Sequence, residues 1–321
     1  MRKNLILTTL CVGVLTLTGC SLGASAPGGS GGSAEGSGTG TLDGATIAVG
    51  SKQFTEQLVL CEIAAQRLES QGATIKRNCG ISGTASVRAA ELSGDVGMYW
   101  EYTGTGWITN LKQTEVIADA TQQYEKVRDM DLSQNQITWL PPAEANNTYA
   151  IAIKTETAKK LKVTTLSDYA ALSMKDPKQA SFCGAAEFFG RDDGWSGVTK
   201  AYGITVPQAE VATLEEGAIY NSISTGNPCN FGEVFATDGR IAALGLTVLK
   251  DDKNFFPFYN LSLTVRQDVL KKYPTIEDVM APVTKLLTTG TMQKLNASVD
   301  VDGKTPKAVA TAWFKETGLN K

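Results

Sequence analysis

At 321 residues the chain is longer than one compact core usually takes, so two domains are expected. Hydrophobic residues at 42% and charged residues at 20% describe an ordinary globular protein, and a net charge of −3 gives no electrostatic reason for a nucleic-acid partner. The absence of histidine excludes Ser-His-Asp and Cys-His nucleophiles, histidine metal ligands and imidazole proton shuttles, which leans the composition away from an enzyme.

Arg2 and Lys3 precede an apolar run from Leu5 to Leu17, broken only by Thr8, Thr9, Gly13 and Thr16. A basic start and a short apolar stretch predict a signal peptide over residues 1–19, too short to span a bilayer stably. Leu17-Thr18-Gly19-Cys20 resembles the lipobox of bacterial lipoproteins, in which the chain is cut before the cysteine and Cys20 is lipidated. Residues 21–41 hold eight glycines and five serines with one charge, at Glu35, and are read as a flexible tether. Its root-mean-square reach is roughly 25 Å. The expected location is therefore the extracytoplasmic face of the cell membrane, with the lipid as the attachment.

Ala45 to Val49 reads as a buried parallel strand, followed by a helix from about Thr55 that places Leu58, Cys61, Ala65 and Leu68 on one face. A second strand is expected over Thr74–Arg77, a helix over Thr84–Leu92 and a third strand over Val96–Glu101. This strand–helix–strand order argues an α/β protein with a parallel sheet covered by helices. Tyr149–Ile153 and Leu261–Val265 are two further strand-like runs. Between them lie Ala180–Cys183, helical material around Thr199 and Leu214–Ser222, and Ile241–Val248; the tail from about Thr275 is largely helical. The arrangement that fits is one lobe from 42–148 plus 256–321 and a second from 149–255, with the two crossings near Tyr149 and Tyr259 forming a two-stranded hinge. Lobes joined by a double crossing can close on a ligand.

With Cys11 in the signal peptide and Cys20 lipidated, Cys61, Cys79, Cys183 and Cys229 remain. Two disulfides are expected in an exported protein, with three pairings open; Cys61–Cys79 and Cys183–Cys229 are favoured because each stays within one lobe. No C-x-x-C spacing suggests a metal, and no cofactor is called for.

Three loops that follow strands are candidates for chemistry: Gly50–Glu56, Tyr99–Gly106 and Asn147–Tyr149. The first opens a helix with Lys52 beside its N-terminus, a setting that favours an anionic group but that an ordinary strand-to-helix turn with a solvated lysine also presents. The second carries Tyr99, Trp100 and Tyr102; alternation sends the first two to opposite faces, one of them into the core, and leaves Tyr102 free to face a cleft. Tyr149, Phe235 and Tyr259 occupy equivalent places. Rings arranged around a cation suit quaternary ammonium, although spacing alone equally fits, and more often means, rings packed in the core.

Five segments carry a resemblance that runs in order over essentially all of 45–321: Gly50-Ser51-Lys52-Gln53-Phe54-Thr55-Glu56-Gln57, Tyr99-Trp100-Glu101-Tyr102-Thr103-Gly104-Thr105, Glu187-Phe188-Phe189-Gly190-Arg191-Asp192-Asp193-Gly194, Phe235-Ala236-Thr237-Asp238-Gly239-Arg240 and Phe255-Phe256-Pro257-Phe258-Tyr259-Asn260. They look like the substrate-binding lipoproteins of ABC importers for glycine betaine, choline, carnitine and related osmoprotectants. The resemblance implies a two-lobed type II periplasmic-binding-protein fold, a monomer that captures a small zwitterionic or cationic ligand and hands it to the permease subunits. It implies a cation cage of Tyr102, Tyr149, Phe235 and Tyr259, and places Lys52, Thr105 and Arg191 where the family holds the ligand's carboxylate. Phe235 stands where the family usually has tyrosine, which bears on the exact ligand.

Desolvated cation–π contacts contribute roughly 0.5–2 kcal/mol each, so four rings supply a good part of the roughly 8 kcal/mol that micromolar binding needs. Choline would leave Lys52 and Arg191 unpaired in a closed cleft, which favours a betaine unless Arg191 pairs with a nearby acid such as Glu187. Choline, carnitine, proline betaine and ergothioneine are the alternative ligands. More distant rivals are an adhesive lipoprotein with a degenerate cleft, and a surface glycoside hydrolase using two of Glu101, Glu187 and Asp238.

Overall fold

The computed structural model describes residues 41–319 except 116 and 118; the expected signal peptide, the lipidation site Cys20 and the tether up to residue 40 lie outside the described residues. Ten strands are present among the described residues: β1 Thr46–Lys52, β2 Thr74–Ile81, β3 Met98–Tyr102, β4 Ile137–Trp139, β5 Tyr149–Lys154, β6 Phe182–Gly184, β7 Val211–Thr213, β8 Phe231–Phe235, β9 Leu246–Val248 and β10 Leu261–Arg266. They form two five-stranded sheets, in the orders β2-β1-β3-β10-β4 and β7-β6-β8-β5-β9.

β1 is buried along almost its whole length, as an apolar run covered on both faces requires. It pairs in parallel with β2 and β3. The helix Thr55–Glu69 that connects β1 to β2 buries Cys61, Ala65 and Leu68, with Cys61 and Leu68 in the same core as β1, whereas Leu58 on the expected face is only half-buried. In the second sheet β6 pairs in parallel with β7 and β8. The sheets are mixed, however, and not wholly parallel as the strand–helix alternation suggested. β10 runs antiparallel to β3 and β4, and β5 antiparallel to β8 and β9. The reason is topological: β5 and β10 are each entered directly from a crossing between the sheets and not through a helix packed on the same sheet.

The two crossings lie side by side. Asn146 and Asn260 form an antiparallel bridge, and the Asn147 and Leu261 amides donate to the Tyr259 and Ala145 carbonyls at 3.1 and 3.2 Å. This is the two-stranded hinge. Each sheet carries one disulfide, Cys61–Cys79 beside β1 and β2 and Cys183–Cys229 beside β6 and β8. The tail folds into the helices Ile276–Leu286, Thr289–Asp300 and Pro306–Thr317, the last with Thr305 capping the Ala308 amide and proline in its first turn. These pack on Thr55–Glu69 through Val283, Met292, Val309 and Phe314.

Several elements had no sequence signal. The helix Ala120–Asn135 turns Gln123, Val127 and Asp131 inward, so its buried face is mostly polar and its apolar period is hidden. Asp131 accepts from the Arg88 guanidinium and from Trp139 Nε1, the latter at 2.7 Å. β8 contains a glycine and a glutamate at its centre and does not look like a core strand. Gly232 is required because a side chain there would run into Ile219 and Ile223 of the helix Glu216–Thr225, and Glu233 is buried, accepting the Ala185 amide at 2.8 Å.

Candidate ligand-binding site

The carboxyl ends of β1, β3 and β8, the loop after β6 and the two crossings meet at one cavity. Lys52, Phe54, Thr84, Tyr102, Thr105, Asn147, Tyr149, Glu187, Arg191, Glu216, Phe235 and Tyr259 line it. All seven residues expected to face a ligand are therefore together, drawn from six separated parts of the chain. The cavity is tight: only about 20 Å³ is open to the centre of a water-sized sphere, about what one water needs.

The rings make one wall after another. Tyr149 stands 5.3 Å from Phe235 and 5.6 Å from Tyr259, the latter edge to face. Phe54, which sequence reasoning does not single out, lies parallel to Phe235 at 5.2 Å and to Tyr102 at 6.3 Å and closes the circuit between them. The signal for Phe54 was its position: it occupies the N-cap of the helix Thr55–Glu69, where a polar side chain is usual, and caps nothing. Gly104 allows the approach of Tyr259, because a Cβ there would lie 2.7 Å from the ring. Of the other two rings in that strand, both Tyr99 and Trp100 are buried, whereas one was expected in the core.

Tyr102 is oriented by its hydroxyl. It donates to Glu56 Oε1 at 2.9 Å and accepts from Gln57 Nε2 at 3.2 Å. Glu56 also accepts from Asn147 Nδ2 and Asn296 Nδ2, each at 2.8 Å, and from the Thr237 hydroxyl. Fully enclosed, this carboxylate ties the start of the first helix, the end of β3, the hinge, the loop after β8 and the helix Thr289–Asp300 to one point. Burial pushes the Glu56 carboxyl above its ordinary range, against the hydrogen bonds from Thr237, Asn296 and Tyr102 that stabilise its charge.

The two cations of the site both have carboxylate partners. Lys52 Nζ lies 2.6 Å from Glu101 Oε1 and 5.0 Å over the Tyr102 ring. Arg191 holds Asp193 in a fork, Nε to Oδ1 at 2.7 Å and Nη2 to Oδ2 at 2.5 Å, with Glu187 at 3.5 Å from Nη1. Its guanidinium lies 5.3 Å over the Tyr149 ring, and Tyr259 donates to Asp193 at 2.5 Å. Sequence proximity to a helix N-terminus suggested that Lys52 waits for an anion; the anion beside it is the protein's own Glu101. The premise that choline would strand an unpaired Arg191 is not met, because Asp193 neutralises it. Thr105 lines the cavity and is buried.

The three carboxylates weighed for hydrolysis are likewise engaged. Glu101 accepts from Lys52 and from Tyr99 at 2.9 Å, Asp238 pairs with Arg240 at 2.5 Å, and Glu187 accepts the Thr84 amide at 3.4 Å and the Thr84 hydroxyl. Two carboxylates flanking a substrate bond with one held protonated is the pattern hydrolysis needs, and these three are instead tied to cations and hydroxyls of the protein. The Glu187 carboxyl is held below its ordinary range: burial raises it, but Lys52, Thr84 and Arg191 together outweigh that.

A ring-walled cavity at the carboxyl ends of parallel strands, between sheets joined by a double crossing, is a place to enclose a small solute. Residues 45–316 match the family model described as the substrate binding domain of an ABC-type glycine betaine transport system, OpuAC. The chain belongs to this family. It is 35% identical over 280 residues to the glycine-betaine-binding protein of Pseudomonas aeruginosa, covering 85% of this chain and 88% of that one. It is equally similar, at 35% over 280 residues, to the glycine betaine-binding protein YehZ of Escherichia coli, covering 86% of this chain and 92% of the relative. The apo structure of YehZ superposes with a TM-score of 0.64 over 85% of this chain and 99% of its own. The ergothioneine transport permease and binding protein EgtU of Helicobacter pylori is also 35% identical, over 85% of this chain and 48% of EgtU. The fold is thus the two-lobed α/β arrangement of the type II periplasmic binding proteins, and the family member described here is a substrate-binding component of ABC-type transport. Among the described residues no helix is long and apolar enough to cross a membrane.

Proposed function

We propose that this OpuAC-family protein captures a quaternary ammonium compound of the glycine betaine type in the ring-walled cavity and delivers it to the permease subunits of an ABC importer. The observation that carries the reading is the convergence of Tyr102, Tyr149, Phe235 and Tyr259 on one cavity with Phe54 completing the ring circuit. A trimethylammonium group cannot donate a hydrogen bond and is weakly hydrated, so ring faces are its favoured surroundings. Lys52 and Arg191, already over Tyr102 and Tyr149, fill the place of such a cation when the cleft is collapsed, and a ligand enters by moving them off the ring faces.

In this reading the lobes 42–148 plus 256–321 and 149–255 open and close about the paired crossings, and lobe closure presents the loaded protein to the permease. The protein acts as a monomer without a cofactor, catalyses no reaction, and is held at the extracytoplasmic face of the membrane by a lipid on Cys20, with residues 21–41 as the leash. Lys52, Thr105 and Arg191 are placed to meet a ligand carboxylate if one is present, at the expense of their partners Glu101 and Asp193. Carnitine, choline, proline betaine and ergothioneine are the competing ligands, the last named for a relative of similar identity.

The test is calorimetry of the full chain in detergent, titrated with glycine betaine, carnitine, choline, proline betaine and ergothioneine. Saturable one-to-one binding of a quaternary ammonium compound, lost in Tyr102→Ala, is the expected result. No binding across the whole set would sink the reading. Mass spectrometry of the membrane-extracted protein tests the anchor: Cys20→Ala should abolish acylation.

A further inference from the structure

Of the four charged side chains that line the cavity, Lys52, Arg191, Glu187 and Glu216, three are spoken for. Lys52 is balanced by Glu101, Arg191 by Asp193, and Glu187 accepts from Thr84 and stands near Arg191. Glu216 is different. It opens the helix Glu216–Thr225, is only partly buried, and among the described residues no side chain forms an ion pair or hydrogen bond with its carboxylate. Arg240, the other cation near it, is taken by Asp238 at 2.5 Å and Asp300 at 3.6 Å. Glu216 also lines the adjoining mouth of the cleft together with Phe54, Glu187 and Glu215. Two cations in the site thus face four carboxylates, Glu101, Asp193, Glu187 and Glu216, and the surplus includes one that has no partner.

We propose that Glu216 is a specificity-determining residue that sets the charge preference of the cleft, raising affinity for a quaternary ammonium ligand with net positive charge relative to the zwitterion of the same head group. The proposal rests on the quaternary-ammonium reading above. The physical reason is that a carboxylate with no partner of its own, at the border of a tight cavity that holds little water, attracts a bound cation more strongly than it would in open solvent. For a zwitterion the ligand's own carboxylate cancels that gain, and it must in addition compete with Asp193 for Arg191. Glu216 sits outside the five segments that carry the family resemblance and is not one of the cage rings.

The charged groups around Glu216 are Lys52 and Arg240, which lower its pKa, Glu187 and Glu215, which raise it, and Asp238 and Asp300, which line the adjoining hollow with it and are held by Arg240. Burial dominates, and the carboxyl is pushed up to about 7. The carboxylate is therefore charged at pH 8 and largely protonated at pH 6, and its attraction for a cation is lost as the pH falls through that interval.

Choline and glycine betaine share a trimethylammonium group and differ by the carboxylate, which makes them the probe pair. Their affinities are measured by calorimetry on the full chain in detergent, for the wild type, Glu216→Gln and Glu216→Asp, at pH 8 and pH 6. Glu216→Gln is expected to weaken choline at least fivefold at pH 8 while leaving glycine betaine unchanged or tighter, and Glu216→Asp to keep the wild-type ratio within about twofold. The wild-type choline-to-betaine preference should fall from pH 8 to pH 6, and that of Glu216→Gln should stay flat. Equal change in both affinities, an unmoved ratio, or no detectable choline binding by a wild type that does bind betaine overturns the role of Glu216 and leaves the ring cage standing. If the wild type binds neither, or Tyr102→Ala weakens neither, the quaternary-ammonium reading itself falls.

Discussion

The two halves of the molecule are built from the same parts but hold their rings in different ways. In the first sheet, β3 ends in Tyr102, the cation is Lys52, its partner is Glu101 on β3, and one disulfide joins Cys61 to Cys79. In the second, β8 ends in Phe235, the cation is Arg191, its partner is Asp193, and one disulfide joins Cys183 to Cys229. Tyr102 is fixed through its hydroxyl to Glu56, a carboxylate with four hydrogen-bond donors. Phe235 has no such handle and is positioned by packing on Phe54 and Tyr149 and by its amide, which donates to Tyr220 at 3.0 Å. One wall is set by directional bonds and the other by shape. Directional bonds hold a ring in place whether or not a ligand is there, whereas a packed ring can shift by as much as its neighbours allow.

The comparison predicts effects of graded size. The largest concerns the disulfides, whose loops differ in length: 46 residues separate Cys183 from Cys229 and 18 separate Cys61 from Cys79. On the loop-entropy account, replacing the second pair by alanines costs about 4 kcal/mol and the first about 3 kcal/mol. Urea unfolding of both variants checks this, and a reversed order would show that the halves differ in strain or residual structure and not in loop length.

Next is Glu56→Ala, which strands buried donors from both sides of the hinge and should cost about 3 kcal/mol in the same assay. A loss below about 1 kcal/mol would mean that the network is not what fixes the first wall. On binding, Tyr102→Ala removes a ring worth about 2 kcal/mol when desolvated, so affinity for the preferred ammonium ligand should fall about thirtyfold. The smallest effect belongs to Phe235→Tyr, expected within about threefold of wild type, since the ring face is kept and no directional contact is lost. If that change proved as damaging as Tyr102→Ala, the second wall would be as sharply specified as the first, and the contrast between them would be void.

Much of the architecture was legible from one sequence. The apolar run of β1, the helix after it and the strand-like runs at Tyr149 and Leu261 all appear within a few residues of where periodicity put them. The seven expected ligand-facing residues meet at one cavity because the carboxyl ends of β1, β3 and β8 and the loop after β6 open onto the same place as the two crossings, which bring in Tyr149 and Tyr259. The parts that were not legible have a common character. β8 is hidden by Gly232 and Glu233, and the helix Ala120–Asn135 by a buried face of Gln123, Val127 and Asp131. In each case the interior position is taken by a polar residue or a glycine whose fitness depends on a partner far away in the chain.

That division also describes the site. Residue type and local order by themselves determined the α/β lobes, the ring-bearing loops and the even set of cysteines, because periodicity and turn chemistry act over a few neighbouring residues. Only the tertiary structure decided that Lys52 is neutralised by Glu101 and Arg191 by Asp193, that Phe54 closes the ring circuit, and that Glu56 gathers donors as distant as Asn296. A charge declares itself in sequence, but whether it is free depends on which opposite charge the fold sets within a few ångströms. Coulomb energy is a matter of distance and burial, and neither can be read along a chain.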